Sequence, residues 1–149
     1  MQTGDLEITS VREEFLREIW EIECESFSAP YPRHVFAHMA KETPETFLVA
    51  TFKQTTVGYV LASLRKDAGH ILSIAVRKNF RRKGAGMKLM TEIMEILRRR
   101  GVRRVDLELR VSNDIALKFY RKLGFQERGL ITEYYRDGED AVKMSKDLS

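Results

Sequence analysis

The sequence predicts an α/β fold of the α+β kind, a central mixed β-sheet of about seven strands flanked by about four helices. Three observations carry this expectation. Apolar residues alternate in some segments and recur at helical spacing in others, in the order β-α-α-β-β-β-α-β-α-β-β. Glycine or proline closes three of the helical segments. The chain has 149 residues, 43% of them hydrophobic, and shows no linker, repeat or low-complexity block, so a single domain over residues 1–149 is expected.

The elements follow in order. "DLEITSV" reads as a first strand. In "REEFLREIWEIECESF", Phe15, Ile19 and Ile22 with Leu16 and Trp20 fall on one helical face, and "SAPYP" breaks it. A shorter helix over "RHVFAHMAKE" comes next. "TFLVATF" and "TVGYVLASL" are β-branched and aromatic segments joined by polar residues, the pattern of a hairpin, and "GHILSIAV" adds a strand. "MKLMTEIMEILRRR" puts Met87, Met90, Met94 and Leu97 on one stripe, which Gly101 ends. "VRRVDLEL" is a strand, and "SNDIALKFYRKLG" a short helix capped by Ser112 or Asn113 and closed by Gly124. "FQERGLITEYY" and "DAVKMSKDL" form a last hairpin joined through Asp137 and Gly138.

Composition excludes some functions and favours others. No apolar run approaches the roughly 18 residues of a membrane span, and the first residues lack a signal-peptide pattern, so a soluble, cytoplasmic protein without a membrane partner is expected. One cysteine, Cys24, allows neither an internal disulfide nor a metal cluster; it reads as a small buried residue on a helix face, with a nucleophile as the other reading. No metal site is expected. A net charge of +4 suits an anionic ligand without requiring nucleic acid. Charged residues make up 32% of the chain and Asn and Gln are few, the composition of proteins from hot environments.

One junction carries more information than the rest. "GHILSIAV", then "RKNFRRKGAG", then a helix describes a strand, a basic glycine-containing turn and a helix start. A helix N-terminus presents unpaired N–H groups, and glycine lets backbone approach a phosphate closely. Arg77, Lys78, Arg81, Arg82 and Lys83 add cationic charge. The spacing is neither that of a P-loop nor that of a dinucleotide fold, so a diphosphate held without magnesium fits better, beside the plainer reading of a solvated basic turn.

The turn R-x-x-G-x-G at 81–86 resembles the acyl-CoA signature of the GCN5-related N-acetyltransferase superfamily. "NDIALKFYRKLGF", residues 113–125, carries that superfamily's N-x-x-A-x-x-x-Y-x-x-x-G-F arrangement. "LSIAVRKNFRRKGAGMKLM", "LELRVSN" and "EYYRDGEDAVKM" are similar to the protein N-terminal acetyltransferases, the branch of ribosomal-protein alanine acetyltransferase and Ard1, in its archaeal type. The resemblance covers residues 5–148.

It implies a sheet splayed between "SIAV" and "DLEL", with acetyl-CoA as co-substrate in the gap. Cofactor contacts then fall on Ile74, Ala75, Val76 and Arg77, on Arg81, Arg82, Lys83, Gly84, Ala85, Gly86 and Met87, and on Asn113, Ala116, Tyr120 and Lys122. Tyr120 is implied to protonate or hydrogen-bond the leaving thiolate. Glu108, twelve residues earlier, takes the place of the branch's base, with His70 assisting. Glu108 lies in an apolar run where a carboxylate needs a partner or a task; a lone histidine at a strand start is also an ordinary surface residue. Phe27 and Tyr31 in "SFSAPYP" and Tyr134 and Tyr135 in the last hairpin are implied to hold the acceptor peptide, or else simply to pack. Relatives that prefer small or acidic first residues place an acid before the tyrosine; Phe27, Ser28, Ala29 and Pro30 stand here.

The expected partners are protein N-termini, with a ribosome or an auxiliary subunit beside them and no DNA. A lysine side chain or a small-molecule amine is the alternative acceptor. A reading of another class, a nucleic-acid or ribosome-binding module, rests on "RRRGVRR" at 98–104, whose cations would otherwise offset a helix dipole.

Overall fold

A computed structural model describes residues 5–148; residues 1–4 and 149 of the expected domain lie outside it. The strands are β1 (Leu6–Ser10), β2 (Phe47–Phe52), β3 (Thr55–Arg65), β4 (Ala68–Val76), β5 (Arg104–Arg110), β6 (Gln126–Ile131) and β7 (Ala141–Asp147). The helices are α1 (Leu16–Ser26), α2 (Arg33–Glu42), α3 (Ala85–Arg99) and α4 (Asp114–Lys122). The order of elements is the one the periodicities predict.

All seven strands form one sheet in the order β1-β2-β3-β4-β5-β7-β6. Neighbours are antiparallel except β4 and β5, which run parallel. The β2–β3 hairpin turns through Lys53 and Gln54, both at positive φ, which matches the twist of the flanking strands.

Both sheet faces are covered, which is why β2 and β3 read as unbroken apolar runs instead of alternating ones. Phe47, Val49, Tyr59, Leu61 and Ala75 face α1 and α2, where they meet Phe15, Ile19, Ile22 and Phe36. Leu48, Ala50, Val60 and Ala62 face the other way, against Leu89, Met90, Ile93 and Leu97 of α3. Each Val, Leu, Ile, Phe or Met among them contributes about 1.5–3 kcal/mol on removal from water. Met87 of the predicted stripe is only half-buried, at the helix start, and Leu89 and Ile93 complete the buried face.

Two expectations are corrected. Cys24 is exposed, because it lies about 200° around α1 from Ile22; Glu23 takes the buried position instead. Asp137 and Gly138 do form a tight turn, with the Gly138 N–H donating to the Tyr135 carbonyl and Gly138 at φ +89. The strands, however, stop at Ile131 and Ala141, so the turn is the tip of a longer loop. Tyr134 and Tyr135 therefore stand on a loop and not in a ladder.

Gly58 is required by packing, since a Cβ there would lie 2.9 Å from the Ala75 carbonyl oxygen in the adjoining strand. Gly58→Ala should lower stability by about 2 kcal/mol in chemical denaturation, an overpacking cost against backbone that cannot give way. An unchanged midpoint would contradict the β3–β4 approach.

Candidate active site

β4 and β5 share hydrogen bonds only where Ala68, Gly69 and His70 face Arg104, Val105 and Asp106. Beyond that point they part, while β5 stays paired with β7 along its whole length. On its other side β4 follows β3 through a bulge: Leu72 has no partner where Ile71 faces Ala62 and Ser73 faces Leu61. The parted strands enclose a cavity of about 1000 Å³. Its walls are Ile71–Ile74 and Leu107–Arg110; the α1–α2 loop and the β6–β7 loop stand over it, and Asn113, Ala116 and Tyr120 reach it from α4.

His70 and Glu108 meet at the point of divergence, with His70 Nε2 2.7 Å from Glu108 Oε1. Strand alternation explains the meeting: Leu107 and Leu109 pack toward α3, so Glu108 projects to the α1 side, where His70 also lies. The carboxylate is mostly sheltered, 15% exposed against 38% for the imidazole. The Glu108 hydrogen bond raises the His70 pKa above its ordinary value, against partial burial; Asp106 adds to the rise and Arg65 opposes it. The Tyr134 hydroxyl stands 3.4 Å from Glu108 Oε1, a long contact.

Tyr120 enters from the opposite face, packed edge-on against Phe119 and Phe125. Burial pushes its phenol pKa well up, so it keeps its proton across the neutral range. Tyr135 is pushed up to about 12, first by burial and then by Tyr134.

The basic turn is built as an anion cradle. Gly84 sits at φ +90 as the residue before α3, and Arg82 also has positive φ. Because the first ladder bond of α3 runs from Lys88 N–H to Gly84 O, the amides of Ala85, Gly86 and Met87 have no helical acceptor. Arg82 and Lys83 are exposed beside them. Arg81 donates from Nε to the Val76 carbonyl at 2.9 Å and from Nη2 to Ser26 Oγ at 3.2 Å, which ties the turn to α1.

Along β4 the expected contacts divide. The Arg77 N–H donates to Val57 O, so alternation turns the backbone of Ala75 and Arg77 toward β3 and that of Ile74 and Val76 toward the open edge. The Arg77 guanidinium also turns away, donating to Thr56 O and pairing with Glu18 and Glu21 of α1. Asn113 caps α4 by accepting from the Ala116 N–H. Lys122 is exposed in the last turn of α4 and does not line the cavity.

Phe27, Tyr31, Tyr134 and Tyr135 all line the mouth, so the four aromatic residues singled out in the sequence do come together. Sequence reasoning missed two charged residues beside them, Glu23 and Arg110. Glu23 is buried and accepts from Tyr59, from Ser73 Oγ at 2.7 Å and from the Tyr31 N–H at 3.0 Å. Arg110 reaches Asp137 and Glu139 at 2.8 Å each, stands 4.2 Å over the Tyr135 ring and touches Ser28 Oγ at 3.4 Å. A charged residue within the apolar stripe Ile19–Ile22–Glu23 was the available signal for the first.

The arginine-rich stretch is largely compensated: Arg98 and Arg99 pair with Glu95, Arg100 with Glu45 and Arg104 with Asp106. Among the described residues no cluster of His, Cys, Asp and Glu could hold a metal ion, and no helix is long and apolar enough to cross a membrane.

Comparison with known proteins gives a consistent result. The model of the acetyltransferase (GNAT) family matches residues 16–125. An N-alpha-acetyltransferase of Sulfurisphaera tokodaii is 36% identical over 131 residues, covering 79% of this chain and 78% of that one. Among solved structures, Ard1 from Thermoplasma volcanium superposes with a TM-score of 0.93 at 29% identity, covering 97% of this chain and 99% of its own. The ribosomal-protein-S18-alanine N-acetyltransferase from Escherichia coli gives 0.86 at 28%, covering 97% and 94%.

A histidine with a raised folded pKa stabilises the fold fully below its unfolded value of about 6.5, and that contribution is lost as pH rises through the folded value. In a proton NMR titration the His70 ring should therefore titrate above the ordinary range and fall back in Glu108→Gln. The stability gap between wild type and that variant should shrink as pH rises from about 6.5 through the raised folded value. A His70 titration indifferent to Glu108→Gln would contradict the pair.

Proposed function

The chain belongs to the acetyltransferase (GNAT) family, and from that premise we propose that it transfers the acetyl group of acetyl-CoA to the N-terminal α-amine of proteins, by direct attack in a ternary complex. One observation carries the reading: Glu108, hydrogen-bonded to His70 where the strands part, and the protonated phenol of Tyr120 both line one cavity. The described chain acts as one catalytic unit in this reading.

The residues present suit the co-substrate. The unpaired amides of Ala85, Gly86 and Met87 beside Arg82 and Lys83 match a pyrophosphate. The open edge at Ile74 and Val76 matches an extended amide-bearing arm. Gly86 supports the same reading, because a Cβ there would meet only Phe119 at 3.4 Å and Val76 at 4.0 Å, ordinary contacts. Nothing in the chain itself demands glycine at that position. When bound, acetyl-CoA supplies an activated acetyl thioester.

Glu108 acts as the base, through a bound water, and His70 shares the proton along their hydrogen bond. The demand on this pair is modest, since an α-amine of pKa near 7.7–8.0 is about one-tenth neutral at pH 7, whereas a lysine near 10.4 is neutral about once in 2,500. Tyr120, protonated across the neutral range, hydrogen-bonds the departing sulfur and passes its proton to it as the thiolate leaves. Phe27, Tyr31, Tyr134 and Tyr135 wall the acceptor site. A ribosome docked at the Arg98–Arg104 face, or an auxiliary subunit, would be a further partner, and turnover of free peptides by the purified chain would make neither obligatory.

The deciding assay offers acetyl-CoA and short peptides beginning Ser, Ala, Thr, Met-Leu or Met-Glu, beside an N-blocked lysine peptide. Transfer to free α-amines alone is the expected result, and transfer to lysine alone would overturn the acceptor assignment. Tyr120→Phe should lower kcat about 10- to 100-fold with little change in acetyl-CoA affinity. Gly86→Ala should weaken acetyl-CoA binding while leaving thermal stability within about 0.5 kcal/mol of wild type; equal loss of both would make the glycine structural.

A further inference from the structure

Glu23 is 2% exposed, and the chemistry above gives it no task. A buried carboxylate is tolerated only with its oxygens occupied, and here both are. Oε1 accepts from the Tyr59 hydroxyl of β3 and from Ser73 Oγ of β4 at 2.7 Å, and Oε2 accepts from the Tyr31 N–H at 3.0 Å.

Each donor arrives by a specific device. Ile71, Ile74 and Val76 face α3, while Leu72 and Ala75 face α1. Uninterrupted alternation from Ile71 would turn residue 73 toward α3. The bulge at Leu72 shifts the phase by one, and so delivers Ser73 to the α1 face and to Glu23. Tyr31 stands between Pro30 and Pro32, neither of which has an N–H. It therefore carries the one amide donor of that triplet, and Glu23 holds it. The tie fixes the Tyr31 ring at the cavity mouth, edge-on to Phe36 with centroids 6.4 Å apart.

We propose that Glu23 is a positioning residue for the acceptor: it fastens the α1–α2 loop to the β4 bulge, and so holds Tyr31 as the fixed wall of the pocket for the substrate's first side chain. This rests on the acetyl-transfer reading above. Glu23 does not touch the reacting atoms, so its loss should act on peptide recognition while sparing the acetyl-CoA cradle at the start of α3, on the opposite face of the sheet.

Two measurements test it. In native-state hydrogen exchange of the wild type, the Tyr31 amide should exchange at least about 100-fold more slowly than a free amide despite its loop position. In steady-state kinetics, Glu23→Ala should raise the peptide KM about 10-fold and blunt discrimination among first residues, with kcat and acetyl-CoA affinity within about threefold. Glu23→Gln should restore most of the loss, since its oxygen can accept from the Tyr31 N–H while its NH2 donates to the Tyr59 and Ser73 oxygens.

A freely exchanging Tyr31 amide in the wild type overturns the proposal, and that result does not depend on any variant folding. A folded Glu23→Ala with unchanged peptide KM overturns it as well. So does a joint fall of kcat and both affinities that Gln does not rescue. If the wild type acetylates no peptide, the acetyl-transfer reading falls, and Tyr31 exchange still reports whether the clamp exists.

Discussion

The site depends on one backbone event, the parting of β4 and β5 after His70 and Asp106. Buried backbone donors and acceptors must be paired, so a sheet can open in its middle only where something else holds its two halves. Here β5 keeps its ladder with β7, and β4 keeps its ladder with β3. Each half is complete on its outer side, and helices cover both faces. The gap is thus a cleft between two paired half-sheets, and on its β4 side the backbone groups of Ile74 and the Val76 N–H face the opening, while the Val76 carbonyl accepts from Arg81.

The gap also joins the two sheet faces. His70 and Glu108 project to the α1 side, while Tyr120 rises from the α3 side. In an unbroken sheet these groups would be separated by a layer of backbone. The proposed proton removal and proton delivery then fall on different faces with different environments: a part-exposed pair able to exchange protons with water, and a buried phenol that is protonated across the neutral range.

Much of this was legible in the chain. Element order follows from periodicity, Glu108 stands out as a carboxylate inside the apolar run "VDLEL", and Tyr120 was reached through the resemblance carried by "NDIALKFYRKLGF". What stayed hidden depends on register. The bulge at Leu72 leaves no mark in "GHILSIAV", since every residue around it is compatible with a regular strand. Without the bulge, Ser73 has no reason to face Glu23. The Asp137–Gly138 turn misled because turn chemistry reports local geometry and says nothing of where the flanking ladders stop; Arg110 binding the loop at Asp137 and Glu139 is a tertiary contact. Cys24 was misplaced by a single helical position, the one that Glu23 fills.

The two loops over the cavity are held by different physics. Glu23 fastens the α1–α2 loop from a buried position, where low dielectric strengthens each hydrogen bond and salt has little access. Arg110 fastens the β6–β7 loop at the surface, through Asp137 and Glu139, whose carboxyls are held below their ordinary pKa in part by that guanidinium. Contacts of the second kind are screened and individually weak. Asymmetry of this sort follows from what each loop must meet. In the proposed reading the α1–α2 wall meets the substrate's first side chain and gains from rigidity, whereas the β6–β7 wall meets the continuing peptide backbone, the same for every acceptor. On that reading fixed geometry is concentrated where discrimination is possible, and the yielding side lies where the substrate carries no sequence information.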